Sequence, residues 1–269
     1  MKGRFFKPLS VSAIRLIAQQ MLVALQALKS IAMVHTDIKP DNIMFVNHKS
    51  IPFKLKLIDF GMAKHVSELR TGTWVQPDCY RAFEVLLGLP LSVSMDMWSL
   101  GCTLAFCYLG RLLFPSYSQY ENMKTFVELW GKPDNSLLNQ GLFTSNFFNL
   151  VQRSPKTIWE FKNSTEYVKT SKDVVKEGRS SSNFIQSFYD LDTVQTCKDI
   201  NEWKDIKAFI RLLKRMIVLD PDKRISPSEA LRLNFITMNH LVGCSGKYLT
   251  KAQKMMRKCQ LQPIPEELR

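Results

Sequence analysis

Two polar strings, His35-Thr36-Asp37-Ile38-Lys39-Pro40-Asp41-Asn42 and Asp59-Phe60-Gly61, stand on either side of two short apolar runs. Ile43-Met44-Phe45-Val46 and Phe53-Lys54-Leu55-Lys56-Leu57-Ile58 read as short strands, and Asn47-His48-Lys49-Ser50 reads as the turn between them. Each polar string alone is ordinary. Asp-Phe-Gly commonly closes a strand as a turn, and His-x-Asp is more often a hydrogen-bonded loop than a site. Their combination in this context is specific, because it sets one carboxylate, one ammonium, one amide and a second carboxylate in a defined order. That order suits phosphoryl transfer, where the moving group carries its charge on peripheral oxygens and catalysis is mainly positioning plus neutralisation.

Further along stand Arg81-Ala82-Phe83-Glu84, Asp96-Met97-Trp98-Ser99-Leu100-Gly101 and Leu219-Asp220-Pro221-Asp222-Lys223-Arg224-Ile225. With the two polar strings, these segments resemble a eukaryotic protein kinase. Phe235-Ile236-Thr237-Met238-Asn239-His240-Leu241, and the lack of Arg between His35 and Asp37, resemble the homeodomain-interacting protein kinase family in particular. The resemblance implies a serine/threonine kinase that moves the ATP γ-phosphate to protein hydroxyls, with ATP and Mg2+ as cofactors. On that reading Asp37 accepts the hydroxyl proton, Lys39 reaches the γ-phosphate, and Asn42 and Asp59 hold magnesium. It also implies that Glu84 pairs with Arg224 and that Asp96 hydrogen-bonds the backbone of the catalytic loop. The Asp37-x-Lys39 spacing is more like Ser/Thr than Tyr kinases.

The likeness runs from about residue 5 to residue 242 and implies a mainly α fold: a kinase C-terminal lobe with a few short β-strands. The N-terminal lobe is expected to be absent. The 11 Gly include no Gly-x-Gly-x-x-Gly, and a helix occupies most of the thirty-four residues before His35. Its face is Ile14, Ile17, Met21, Leu25 and Leu28, at three- and four-residue steps from a start near Pro8-Leu9-Ser10. The expected organisation is an incomplete kinase domain over 1–242 and a basic tail over 243–269. Very low activity of the chain alone follows from that expectation. The alternative is a catalytically impaired pseudokinase serving as a protein-interaction module.

Several residues depart from the family pattern. Trp74 stands where the family has a phosphorylated Tyr, Asp78 where it has Arg, and Phe83 where Pro is usual. Trp74 has no hydroxyl to carry phosphate, and Asp78 reverses the charge beside the pocket that reads the residue after the phosphoacceptor. Thr36 replaces the Arg that clamps a phosphorylated loop, so phosphate on Thr71 or Thr73 would lack its usual receptor.

Composition supplies the remaining bounds. At 269 residues and 45% hydrophobic content the chain can bury a sizeable core. Met97 to Gly110, an uncharged and largely apolar stretch, is short for a membrane span and reads as a buried core helix. No secretory signal follows Met1-Lys2-Gly3-Arg4, so nucleus or cytoplasm is expected. Cysteines 79, 102, 107, 197, 244 and 259 form no Cys-x-x-Cys pair and read as free thiols. The net charge of +13 is spread along the chain, which favours a solvated surface over a nucleic-acid interface. The partner expected is a protein substrate or docking protein. Lys247, Lys251, Lys254, Arg257 and Lys258 fall near one face of a short helix, with Leu249, Ala252, Met255 and Met256 on the other. Signals weaken between residues 132 and 200, where Lys132-Pro133-Asp134-Asn135 and Ser154-Pro155 read as turns and Lys172 to Asn183 as a loop. From Trp203 to Leu219 a helical face returns through Ile206, Phe209, Ile210, Leu213 and Ile217, and Ser226-Pro227-Ser228-Glu229 begins another helix.

Overall fold

The computed structural model describes residues 7–47, 49, 51–114, 118–171, 191, 194, 197 and 199–260. The loop expected over Lys172 to Asn183, the segment Met1 to Arg4, His48 and Ser50 of the expected turn, and the side chains of Lys258 and Cys259 lie outside the described residues.

Helix α1 (Val11–Ser30) begins at Ser10, whose hydroxyl accepts from the Ala13 amide and so satisfies one orphan donor of the first turn. Its apolar stripe of Ile14, Ala18, Met21, Leu22 and Leu25 is buried, with Ile17 and Leu28 packed at the margin. By length and composition alone α1 would be long enough to cross a membrane. Half of that span is instead buried within the fold, and it carries Arg15, which is fully buried against Asp205.

The stripe of α1 meets α3 (Ser94–Leu109) and α8 (Ile200–Met216). Helix α3 is buried on nearly every face from Met95 to Leu109, which explains its uninterrupted apolar run. Residues Ile206, Phe209, Ile210 and Leu213 of α8 pack inward, and Asp199 caps that helix by accepting from the Asn201 amide. Gly101 allows α3 and α8 to approach closely: a Cβ there would lie 2.8 Å from Ile217 Cγ1 and 3.2 Å from Met216 Cβ. Each fully buried Leu, Ile or Phe in this core contributes about 1.5–3 kcal/mol relative to exposure. An aromatic group of Trp98, Phe114, Phe126 and Trp130 extends the core towards α4 (Gln119–Trp130), with ring centroids 5.1–6.1 Å apart.

Three two-stranded antiparallel ladders complete the described fold. Strand β1 (Met33–Val34) pairs with β4 (Lys64–His65), and β2 (Ile43–Asn47) pairs with β3 (Ile51–Leu57). The expectation of a lobe with the N-terminal lobe absent is therefore corrected. The first quarter of the chain carries a β region, β1 to β4, and the fold is mainly α with a partial N-terminal lobe. A missing Gly-x-Gly-x-x-Gly pattern and a helix before His35 say nothing of this β region, of which only β2 and β3 are visible as apolar runs beside the polar strings.

The weak region between 132 and 200 contains a regular hairpin. Strands β5 (Phe148–Arg153) and β6 (Lys156–Phe161) pair in unbroken register from Phe148 opposite Phe161 to Arg153 opposite Lys156, closed at Ser154-Pro155. The short helices α5 (Asn135–Leu138), α6 (Thr144–Phe147) and α7 (Ser164–Thr170) flank it, and Asn163 and Glu166 form a capping box on α7. A second capping box, Ser226 with Glu229, opens α9 (Pro227–Leu231), which α10 (Asn234–Thr237) follows. The basic segment near the C-terminus is α11 (Lys247–Gln260). It buries Leu249, Ala252 and Met256 against α1, α8 and β3 and leaves Lys247, Lys251, Lys254 and Arg257 in solvent.

Candidate active site

The loop between β1 and β2 is shaped from beneath by α3. Asp96, in the first turn of α3, accepts from the His35 amide at 2.7 Å on one carboxylate oxygen and from the Thr36 amide at 3.0 Å on the other. Thr36 has φ 65°, a left-handed conformation that a β-branched residue rarely adopts, and the two bonds hold it there. Its hydroxyl donates to the Met62 carbonyl at 2.7 Å. Burial pushes the Asp96 carboxyl up to about 7, against the pull of the two amides, which favour its charged form.

His35 links the two polar strings. Its Nδ1 accepts from the Asp37 amide at 3.3 Å, so the proton sits on Nε2, which donates to the Ile58 carbonyl at 3.1 Å. Burial lowers its pKa, consistent with a neutral ring. Phe60 stands edge-on to the imidazole with centroids 4.9 Å apart. A backbone bond from the Ile58 amide to the Asn42 carbonyl, 3.0 Å, joins the strings a second time.

Within this frame three of the four chemically interesting side chains meet. Lys39 Nζ lies 2.8 and 3.1 Å from the two oxygens of Asp37. Asn42 Nδ2 donates to the Asp37 carbonyl and to its carboxylate, both at 2.8 Å. The amide nitrogen of Asn42 is thereby committed, and its oxygen is left as the acceptor. Asp37 keeps 14% of its side chain exposed and Lys39 27%. Asp59 sits apart just past the end of β3, exposed, with φ 61° and with the Gly61 amide, at 3.4 Å, as its carboxylate's one donor among the described residues. Lys39 thus rests on Asp37, with no second partner among the described residues.

Hard divalent cations such as magnesium take oxygen ligands and keep several waters and phosphate oxygens, so one or two protein donors suffice. The Asn42 amide oxygen and the open Asp59 carboxylate are donors of that kind. Among the described residues no group of three His, Cys, Asp or Glu forms a self-sufficient metal cage, so the donor set suits a metal that arrives with a phosphate ligand.

The other ionic residues named from the sequence lie away from the loop. Arg224 grips Glu84 with two bonds, Nη1 to Oε1 at 2.5 Å and Nη2 to Oε2 at 2.7 Å, and both side chains are fully buried. Two residue groups that sequence reasoning missed order the segment between Asp59 and Glu84. Buried Gln76 donates to the Met95 carbonyl and to Ser99 Oγ, both at 2.9 Å, and accepts from the Ala82 amide at 2.9 Å. Arg81 lies 4.2 Å above the Trp74 ring, pairs with Asp78, and donates to the carbonyls of Val75 and Gln76. Phe83 is fully buried edge-on to Phe126. The departures at 74, 78 and 83 thus have packing or ionic partners inside the fold, a fact no spacing rule could reveal.

The protein kinase domain family model matches residues 4–236. The chain is 38% identical to homeodomain-interacting protein kinase 2 of Mesocricetus auratus over 248 residues, which cover 90% of this chain and 21% of that protein. It is 37% identical to homeodomain-interacting protein kinase 1 of Caenorhabditis elegans, covering 97% of this chain and 32% of that protein. With homeodomain-interacting protein kinase 4 of Homo sapiens the identity is 36%, covering 89% and 41%. The chain therefore spans less than half the length of each. The match from residue 4 also bears out the fold correction, since it begins ahead of α1 and takes in all of β1 to β4. The chain belongs to the protein kinase family, and its relatives are homeodomain-interacting protein kinases.

Proposed function

We infer that this chain carries the phosphotransfer site of a serine/threonine protein kinase, moving the γ-phosphate of ATP to Ser or Thr hydroxyls of a protein substrate in the nucleus or cytoplasm. One observation carries the reading. The Asp37 carboxylate is held at once by Lys39 and Asn42 at 2.8–3.1 Å and still reaches solvent. A general base must be oriented, ionised and accessible to the hydroxyl it serves.

Magnesium and ATP, when bound, supply the electrophilic phosphoryl group and much of the charge neutralisation. Asp37 accepts the substrate hydroxyl proton on a carboxylate oxygen. Lys39, whose one resting partner among the described residues is Asp37, has donors to spare for an incoming anion. Asn42 and Asp59 offer their side-chain oxygens to the cation. His35 and Asp96 position the loop, His35 through Ile58 and Asp96 through two backbone amides.

Calorimetry of the full chain with Mg-ATP tests this reading. Saturable binding is expected, and Asp59→Ala should weaken it about tenfold or more by removing one charged metal ligand. Binding that Asp59→Ala leaves unchanged would overturn the metal assignment. A second reading, a non-catalytic interaction module, is favoured by Arg81, whose guanidinium is already occupied by Trp74, Asp78 and two carbonyls. That reading predicts no phosphate incorporation into any protein hydroxyl even when Mg-ATP binds.

A further inference from the structure

The sequence suggests α11 as a basic surface, and a second one lies on α8. Lys204, Lys207, Arg211, Lys214 and Arg215 recur at three-, four- and one-residue steps, which sets them along one side of the helix. Arg232, just past α9, faces them across a groove of about 890 Å³. Ala208, Leu233 and Phe235 give the groove an apolar floor, and Trp203, 47% exposed, stands at its edge with Lys207 Nζ 5.3 Å from its ring.

Among the described residues no carboxylate lines this groove. The acids of α8 are turned elsewhere: Asp205 is buried with Arg15, His240 and Tyr248, and Glu202 lies 3.6 Å from Cys197 Sγ. Glu229, whose carboxyl feels Arg215, is held by the amide and hydroxyl of Ser226. Arg211, Arg215 and Arg232 have no ion-pair partner among the described residues. Arg211 and Arg215 are like charges at helical i, i+4 spacing, an arrangement that destabilises a helix and that an acidic ligand would relieve.

We propose that the groove between α8 and the Arg232–Phe235 segment is a docking site for an acidic protein segment with apolar anchor residues. The cationic rim complements Asp or Glu side chains, and the apolar floor gives Leu- or Phe-type side chains a place to bury. A polynucleotide would match the charge but offers planar bases rather than Leu- or Phe-type side chains to that floor. The site is separate from the phosphotransfer loop, and the proposal does not depend on catalysis.

The probe is a short fluorescein-labelled peptide alternating Glu with Leu and Phe, titrated into the full chain and followed by anisotropy. Saturable binding is expected, weakened about tenfold or more by Arg211→Glu with Arg215→Glu, and weakened by added salt. The milder pair Arg211→Gln with Arg215→Gln should weaken it less and serves if the reversal disturbs folding, which a thermal midpoint reports. Lys251→Glu with Lys254→Glu, an equal charge change on the exposed face of α11 and outside the groove lining, should leave binding within about twofold. Asp37→Asn should leave binding unchanged even if it abolishes phosphotransfer. The proposal is overturned if binding is absent, if the α11 pair weakens it as much as the groove pair, or if an all-Glu peptide binds as tightly. A single-stranded oligodeoxythymidine that binds more tightly through Arg211 and Arg215 would overturn it too, as would sedimentation showing the groove covered by a second copy.

Discussion

Two carboxylate–cation pairs show how the same chemistry is put to different uses. In Glu84–Arg224 both side chains are fully buried, and all five guanidinium N–H groups are used: on Glu84 twice, on the Val218 carbonyl twice and on the Ser94 carbonyl once. The cation also lies 5.2 Å from the face of Trp98. In Asp37–Lys39 the partners are partly exposed, and Asp37 is the one partner of Lys39 among the described residues. A saturated, dry pair can only hold structure, because any exchange of partner would strand a charge in a low-dielectric interior. An unsaturated pair at the surface can trade its partner for an incoming anion at small cost. Arg15–Asp205 resembles the buried case but is less complete, since Arg15 Nη1 has no partner among the described residues.

Breaking the buried pair should have the largest effect on folding. Glu84→Ala leaves Arg224 charged, buried and unpaired and is expected to cost about 3–5 kcal/mol of stability in a denaturant titration. A cost near that of a surface ion pair would show that water reaches Arg224 and would erase the distinction.

Asp96→Asn probes the support beneath the open pair. An amide cannot accept on its nitrogen, so either the His35 or the Thr36 amide loses its partner, at about 1–3 kcal/mol. The pH dependence has a definite sign. The folded-state value, about 7, lies above the ordinary carboxylate value of 3.8, so between them the folded chain holds the extra proton. Stability conferred by that proton is complete below pH ~4 and is lost as pH rises to about 7. The wild-type-minus-Asp96→Asn stability difference should therefore fall across that window and flatten above it. A flat difference from pH 4 to 7 would mean that the two amides hold the carboxylate ionised throughout.

The smallest effect is expected at the exposed clamp. Trp74→Ala removes the ring beneath Arg81 and should cost about 0.5–1 kcal/mol, read as faster proteolysis of the segment between Asp59 and Glu84. Unchanged cleavage would place the order of that segment in Gln76 instead.

What the sequence made legible follows from the range of the forces involved. The stripes of α1 and α8 repeat at helical spacing, so Ile14, Met21 and Leu25, and likewise Ile206, Phe209 and Leu213, announce their buried face locally. The two polar strings placed Asp37, Lys39 and Asn42 in one loop because only a few residues separate them. The contact of Glu84 with Arg224 spans 140 positions and was readable only through resemblance. The β5–β6 hairpin was missed although Ser154-Pro155 was read as a turn, since Leu150, Trp159 and Glu160 alternate weakly beside charged residues. Of the β region, β2 and β3 are legible as short apolar runs, whereas β1 and β4 are two residues each and carry no periodic signal, so the partial N-terminal lobe is not announced locally. The ligand set of Arg81 had no signal at all: Trp74 and Asp78 become its partners only once the chain turns back at Gln76, with φ 67°.

On the function proposed above, Asp37 is oriented for chemistry rather than for folding. The most direct test measures Mg-ATP-dependent phosphate incorporation into a Ser/Thr peptide library together with the unfolding midpoint, for the wild type and Asp37→Asn. The account predicts incorporation by the wild type, an Asp37→Asn rate lower by about 10²–10⁴-fold, and midpoints that nearly coincide. An Asp37→Asn chain that keeps the wild-type rate, or that loses it only because the chain unfolds, would contradict it.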